Sequence, residues 1–165
     1  MITVYLALGS NVGDSARYIA KAVELLAAQV HDIEQAPLYV SHAVGYTDQP
    51  DFVNTALRGQ TNLSPQELLT FVKDIEQHVG RIFRFRWGPR EIDIDIILYG
   101  DKVVAKENLT IPHARFRERD FVLKPLCDLD PNVKDPITRK TAAELLQAIP
   151  AAEQSLAGDY QADQA

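Results

Sequence analysis

Residues 91–100 read EIDIDIILYG, in which isoleucine and aspartate alternate at the start. A period of two predicts a β-strand that ends at Gly100, with Asp93 and Asp95 on one face and the isoleucines on the other. Neighbouring residues on one face are ~7 Å apart, so both carboxylates can reach one cation or a pair of cations. Mg²⁺ prefers such oxygen ligands and usually shares them with substrate phosphates. The strand therefore predicts a metal site as well as part of a sheet.

Residues 81–90, RIFRFRWGPR, contain four arginines and no acidic residue. The whole chain carries a net charge of −6, so a local cationic segment indicates that an anion is bound at one place. Carboxylates for a metal beside arginines for phosphate are what phosphoryl transfer requires. The alternative for both features is a solvated surface, with an acidic strand face in water and arginines in salt bridges.

The remaining pattern predicts an α+β fold. Ser64 and Glu67 form a capping box at the start of a helix that Gly80 ends, and Thr141 begins a last helix before Pro150. Elements in the order β-α-β-β-α-β are predicted over 2–8, 18–26, 33–40, 52–60, 64–80 and 91–100. This order favours a ferredoxin-like core with helices packed on an antiparallel sheet in three α/β/α layers. We expect one domain over 1–150 and a loose tail over 151–165.

The composition limits the class of protein. A chain of 165 residues with 46% hydrophobic residues can build one domain with a core. Its single cysteine, Cys127, cannot form an internal disulfide. No basic region precedes the short apolar N-terminal run, and no stretch approaches the roughly 18 apolar residues of a membrane helix, so we expect a cytoplasmic protein. The negative charge argues against a dedicated nucleic-acid binder.

Five segments together resemble the 6-hydroxymethyl-7,8-dihydropterin pyrophosphokinases of folate biosynthesis. In chain order they are GSNVGD at 9–14, VGYTDQPDFVN at 44–54, RWGPREIDIDIILYG at 86–100, LTIPH at 109–113 and RERDFVLKPL at 117–126. The resemblance implies a ferredoxin-like core with three mobile catalytic loops. It also implies transfer of the β,γ-diphosphate of ATP to the pterin hydroxymethyl group, with two Mg²⁺ ions bound and AMP leaving.

The resemblance further implies roles for individual residues. The implied metal ligands are Asp93 and Asp95. The implied ATP-binding residues are Trp87, Arg90, Ile96, Thr110, His113 and Arg119. The side chains implied to act on the phosphates in catalysis are Arg81, Arg84, Arg90, His113 and Arg119. The residues implied to bind the pterin are Ser41, Val44, Gly45, Phe52, Asn54 and Phe121, in which the two phenylalanines sandwich the ring and the amide reads its polar edge.

The chain departs from the family pattern at several places, two of which bear on ligand binding. Residues 41–45, SHAVG, lack the proline that the family usually has there, which predicts a looser first loop. Asn108 stands where an arginine along the nucleotide is common, which predicts weaker ATP binding.

Two other functions are open to a chain with this pattern. One is a ferredoxin-like nucleic-acid binder that uses sheet aromatics and residues 81–90, and the other is a sensing domain without catalysis. Asp93 and Asp95 would repel the phosphates of a nucleic acid unless a metal were present, and a sensor needs no metal site. We therefore expect a monomeric enzyme whose partners are ATP and the pterin, with no nucleic acid and no membrane.

Overall fold

The computed structural model describes residues 1–43, 47–80 and 91–161, which form sheets covered by helices. The strands are β1 (Ile2–Ser10), β2 (His31–Gln35), β3 (Tyr39–Ser41), β4 (Phe52–Thr61), β5 (Asp93–Tyr99), β6 (Val104–Lys106), β7 (Leu109–Ile111) and β8 (Leu156–Asp159). The α-helices are α1 (Ser15–Leu26), α2 (Pro65–Val79), α3 (Asp120–Leu129) and α4 (Ala142–Gln147). Short 3₁₀ turns cover Phe116–Glu118 and Ala151–Glu153.

The large sheet has the order β5-β1-β4-β3-β8, and β2 also pairs with β4. Every pairing in it is antiparallel, which confirms the predicted α+β class. The single strand predicted over 33–40 is wrong, because the chain forms β2 and β3 there instead. Pro37 lies between them and lacks the amide hydrogen that a continuous ladder would need.

The two faces of β1 explain the layers of the fold. Val4, Leu6 and Leu8 point to one side and are buried against α1 and α2. Tyr5 and Ala7 point to the other side, where they join a cluster with residues of α3 and α4. This alternation gives the sheet a helical layer on each face, as the predicted three-layer arrangement required.

Local capping signals place α2 and α4 as predicted. Ser64 and Glu67 form a reciprocal capping box at the start of α2, and Gly80 ends it with φ of 103°, a value that favours glycine. Thr141 and Glu144 form the same motif at α4. The sequence pattern does not indicate α3, because Pro125 lies inside this helix and cannot donate a hydrogen bond to the carbonyl four residues earlier.

The C-terminal segment is ordered as far as residue 161. Residues 156–159 form β8, which pairs with β3 and so extends the large sheet. The prediction of a loose tail from residue 151 is therefore wrong for residues 151–161. The backbone amides of Ser155 and Leu156 also donate hydrogen bonds to the buried carboxylate of Asp120, which fastens this segment to α3.

Candidate active site

The register of the sheet brings the candidate residues to one edge. Gly9 on β1 lies opposite Asn54 on β4 and opposite Asp93 on β5, so the amide and the carboxylate flank a residue without a side chain. A Cβ at Gly9 would lie 3.1 Å from Asn54 Oδ1 and 3.6 Å from Phe52 Cδ1. The strand predicted over 2–8 continues to Ser10, so Gly9 lies within β1. Glycine within a strand is the signal that could have found this close approach.

A first cavity lies between this edge and the start of α3. Its lining includes four of the residues predicted to bind a flat ring: Ser41, Phe52, Asn54 and Phe121. Asp93, Asp95 and Arg119 line the same cavity, together with the small residues Ala7 and Gly9. The strand parity predicted for the aspartates is thus observed, since both face the α3 side of the sheet.

The polar end of the first cavity is held in a fixed arrangement. Asn54 is buried, and its Nδ2 donates hydrogen bonds to Ser41 Oγ at 2.6 Å and to the carbonyl of Phe52 at 3.5 Å. The donor side of the amide therefore faces the protein, and Oδ1 lies beside Gly9. A planar ligand with hydrogen-bond donors on one edge matches this arrangement, with an aromatic ring available from β4 and another from α3.

A second cavity lies on the other side of Asp95. It is lined by residues of α2, β5, β7 and the segments that flank β7: Leu69, Lys73, Ile94, Asp95, Ile96, Glu107, Asn108, Leu109, Thr110, His113 and Ala114. The predicted nucleotide residues Ile96, Thr110 and His113 are all among them. Lys73 was not predicted, because only the packing of α2 on β5 brings this lysine to the cavity.

Asp95 is the residue that the two cavities share. Burial, and then the neighbouring Asp93 carboxylate, raise the pKa of Asp95 to about 7, while Lys73 and Arg119 oppose this rise. The repulsion between the two carboxylates, which contributes to this raised pKa, favours a bound cation. Their position also places that cation at the junction of two ligand cavities.

His113 faces the same junction. Its Nε2 is 3.8 Å from Asp95 Oδ2, and its Nδ1 accepts a hydrogen bond from the backbone amide of Arg115 at 3.1 Å. Burial, and then the Arg119 charge, lower the pKa of His113 to about 4. The ring is therefore neutral at pH 7, and the acceptor role of Nδ1 assigns its proton to Nε2. His113 thus offers a hydrogen bond at the junction rather than a positive charge.

A buried carboxylate anchors the strand that carries the aspartates. Glu76 on α2 is 2% exposed, and it accepts a hydrogen bond from the backbone amide of Ile94 at 2.8 Å. Lys73 Nζ lies 3.3 Å from the same carboxylate. Ile94 lies between Asp93 and Asp95 in the chain. The hydrogen bond from Ile94 to Glu76 therefore holds the backbone from which both carboxylates project.

The donor set fits magnesium with substrate phosphates. Within residues 1–43, 47–80 and 91–161, no group of three or more His, Cys, Asp and Glu side chains could hold a metal alone. Mg²⁺ in phosphoryl-transfer sites is commonly held by one or two carboxylates, and phosphates and water complete its shell. Asp93 and Asp95 supply such a pair. The predicted residues Val44, Gly45, Arg81, Arg84, Trp87 and Arg90 lie outside the described residues.

Comparison with known proteins identifies the family. Residues 5–131 match the family model described as 7,8-dihydro-6-hydroxymethylpterin-pyrophosphokinase. The chain belongs to this family. It is 49% identical over 144 residues to 2-amino-4-hydroxy-6-hydroxymethyldihydropteridine pyrophosphokinase of Aquifex aeolicus, a match that covers 87% of this chain and 90% of that protein. The predicted family and enzyme class are confirmed, and the pyrophosphokinase family implies ATP as a substrate and Mg²⁺ as a cofactor.

Longer proteins also contain a segment similar to this chain. The folic acid synthesis protein fol1 of Schizosaccharomyces pombe is 41% identical over 148 residues, which cover 88% of this chain but 20% of that protein. The structure of Plasmodium falciparum HPPK-DHPS with SDX-DHP superimposes with a TM-score of 0.69 at 17% identity, over 89% of this chain and 43% of that one. The latter likeness shows the fold. Among the described residues, no helix is long and apolar enough to cross a membrane.

Proposed function

We propose that this chain transfers the β,γ-diphosphate of Mg-ATP to the hydroxymethyl group of 6-hydroxymethyl-7,8-dihydropterin, giving the pterin diphosphate and AMP. The observation that carries the proposal is the position of Asp95 in the lining of both cavities. A reaction between two bound substrates needs their reacting atoms to meet at one place. The Asp95 carboxylate marks that place.

The first cavity is the proposed pterin site. Phe52 and Phe121 would stack on the two faces of the ring, and Asn54 Oδ1 would accept from its polar edge. Ser41 holds the Asn54 amide in that orientation through the 2.6 Å hydrogen bond. Backbone groups of Val44 and Gly45 are proposed from the sequence to complete the edge.

The second cavity is the proposed nucleotide site. Ile96 and Thr110 would contact the nucleoside, and His113 would donate from Nε2 to a phosphate oxygen near Asp95. Arg119 lines the first cavity beside both aspartates, where its charge can stabilise the β-phosphoryl group as it moves between substrates. Further phosphate contacts, proposed from the sequence alone, come from Arg81, Arg84, Arg90 and Trp87.

The chemistry is an in-line displacement at the β-phosphorus. The pterin hydroxyl oxygen forms a bond to that phosphorus and its proton is released to solvent, while the bond to the α,β-bridging oxygen breaks and AMP leaves with that oxygen. Asp93 and Asp95 would hold two Mg²⁺ ions, whose charge would offset that of the phosphates and would lower the pKa of the attacking hydroxyl. We further propose that the chain acts as a monomeric single domain in the cytoplasm.

The test is AMP release by the purified full chain. We expect AMP only when Mg-ATP and the pterin are both present. Asp95→Ala should abolish this release while the folded state is kept, and the matched variant Asp101→Ala, in the exposed turn after the same strand, should behave as the parent. Near-normal release by Asp95→Ala would overturn the metal assignment, and no AMP from the parent protein would overturn the proposed reaction.

A further inference from the structure

Asp120 is a buried carboxylate whose two sequence neighbours line the first cavity. Arg119 and Phe121 face that cavity, whereas Asp120 is absent from the lining of either cavity. Its side chain is 3% exposed and turns instead toward the C-terminal segment. The carboxylate accepts hydrogen bonds from the backbone amide of Ser155 at 3.1 and 2.9 Å and from that of Leu156 at 2.9 Å. Such bonds to a charged acceptor are stronger than neutral ones.

The segment that Asp120 holds is attached to the opposite wall of the cavity. Leu156 pairs with Ser41 in the β3–β8 register, and the backbone amide of His42 donates to the carbonyl of Ser155 at 2.8 Å. Ser41 and His42 both line the first cavity. Residues 155–156 therefore connect the start of α3, on one side of the cavity, to the end of β3 on the other.

We propose that Asp120 is a positioning residue: through residues 155–156 it sets the separation of the α3 and β3 walls of the first cavity, and so its affinity for the pterin. This inference rests on the proposed function, which assigns the pterin to that cavity. A ring held between two aromatic side chains needs them at a fixed spacing, and small displacements weaken both contacts. Phe121 belongs to the α3 wall, and Ser41 on the β3 wall orients Asn54.

The second cavity, the proposed nucleotide site, does not share the α3 and β3 walls of the first cavity. Its described lining comes from α2, β5, β7 and adjoining segments, and none of it from β3 or α3. Loss of the Asp120 contact should therefore separate the two affinities. A role confined to general stability would lower the melting temperature and leave the binding constants unchanged.

Calorimetry on the full chain measures both affinities in each variant. We expect Asp120→Ala to bind the pterin about tenfold more weakly, while a non-cleavable Mg-ATP analogue binds within about twofold of the parent value. Asp120→Asn should restore part of the pterin affinity, because one oxygen, Oδ2, accepts from both backbone amides and an amide oxygen can take its place. In steady-state assays the Ala variant should raise KM for the pterin more than it lowers kcat.

A second variant approaches the same contact from the other side. Leu156→Pro removes the amide hydrogen that reaches Asp120, and a double-mutant cycle with Asp120→Ala should show effects on pterin binding that are not additive. Asp135→Asn is the control. Asp135 is 1% exposed and binds Arg117, and neither residue lines the first or the second cavity, so this variant should lose stability without losing pterin affinity.

The outcomes are distinguishable. If the parent chain binds no pterin, the proposed function is itself wrong. If the parent binds it and folded Asp120→Ala and Leu156→Pro bind it equally well, the positioning role is overturned. Equal losses of pterin and nucleotide affinity would also overturn the positioning role, because a general loosening of the fold would explain both losses.

Discussion

Lowering the pH from 8 to 6 should weaken the binding of a divalent cation to Asp93 and Asp95 about tenfold. Burial, and then the Asp93 charge, raise the pKa of Asp95 to about 7, and a metal ion binds the carboxylate rather than the acid. A group with that pKa is about one eleventh ionised at pH 6 and about ten elevenths ionised at pH 8. Protons therefore compete with the metal below pH 7, and the affinity levels off above it.

The assay is a titration of the full chain with Mn²⁺, in which the electron spin resonance signal measures the concentration of the free ion. Nucleotide is left out, because phosphate groups titrate in the same pH range. Calorimetry in buffers of different ionisation enthalpy should show about half a proton released per metal at pH 7. Asp93→Asn should move the pH dependence to lower pH, since it removes a charge that raises the pKa of Asp95. Equal affinity at pH 6 and pH 8 would refute this account of the site.

Three further predictions concern the first cavity and the stability of the fold. Phe121→Ala should weaken pterin binding by on the order of 1–3 kcal/mol, and an unchanged calorimetric affinity would place the ring elsewhere. Gly9→Ala should weaken it about tenfold with little change in thermal unfolding, because its Cβ would crowd Asn54 Oδ1, and parent-like binding would contradict this. Asp135→Asn should lower the free energy of unfolding by about 2 kcal/mol at pH 7. Burial alone would raise the pKa of the Asp135 carboxyl, but hydrogen bonds from Arg117 and neighbouring residues outweigh burial and lower this pKa to about 2. This difference should shrink as the pH falls from about 4 toward 2, and a pH-independent difference in denaturant melts would disprove the mechanism.

Elements with local signals were predictable from the sequence. The capping box at Ser64 and the αL glycine at Gly80 are encoded within a few residues of each helix end, and both are observed. The orientation of Asp93 and Asp95 follows from strand parity, which is also local. By contrast, β8 is short and mostly exposed, and its partner β3 is more than a hundred residues away in the chain, so no local pattern indicates it.

The candidate site likewise contains residues that the sequence predicts and residues that it does not. The side chains that define its chemistry occur in recognisable motifs, and the described ones lie around two adjoining cavities. The positions that shape the site were missed because their effects are tertiary. Gly9 matters through a neighbouring strand, Lys73 through helix packing, and Asp120 through contacts with residues 155–156. Glycine within a strand is a signal that could have marked Gly9, whereas nothing in the sequence around Lys73 or Asp120 marks their contacts.

The most direct test of the central claim is a crystal structure of the chain with Mg²⁺, the pterin and an ATP analogue that cannot be cleaved between its α- and β-phosphates. We expect the pterin ring between Phe52 and Phe121, the nucleoside in the second cavity, and Mg²⁺ about 2.1 Å from carboxylate oxygens of Asp93 and Asp95. A metal bound away from Asp95, or both ligands on the same side of it, would contradict the account.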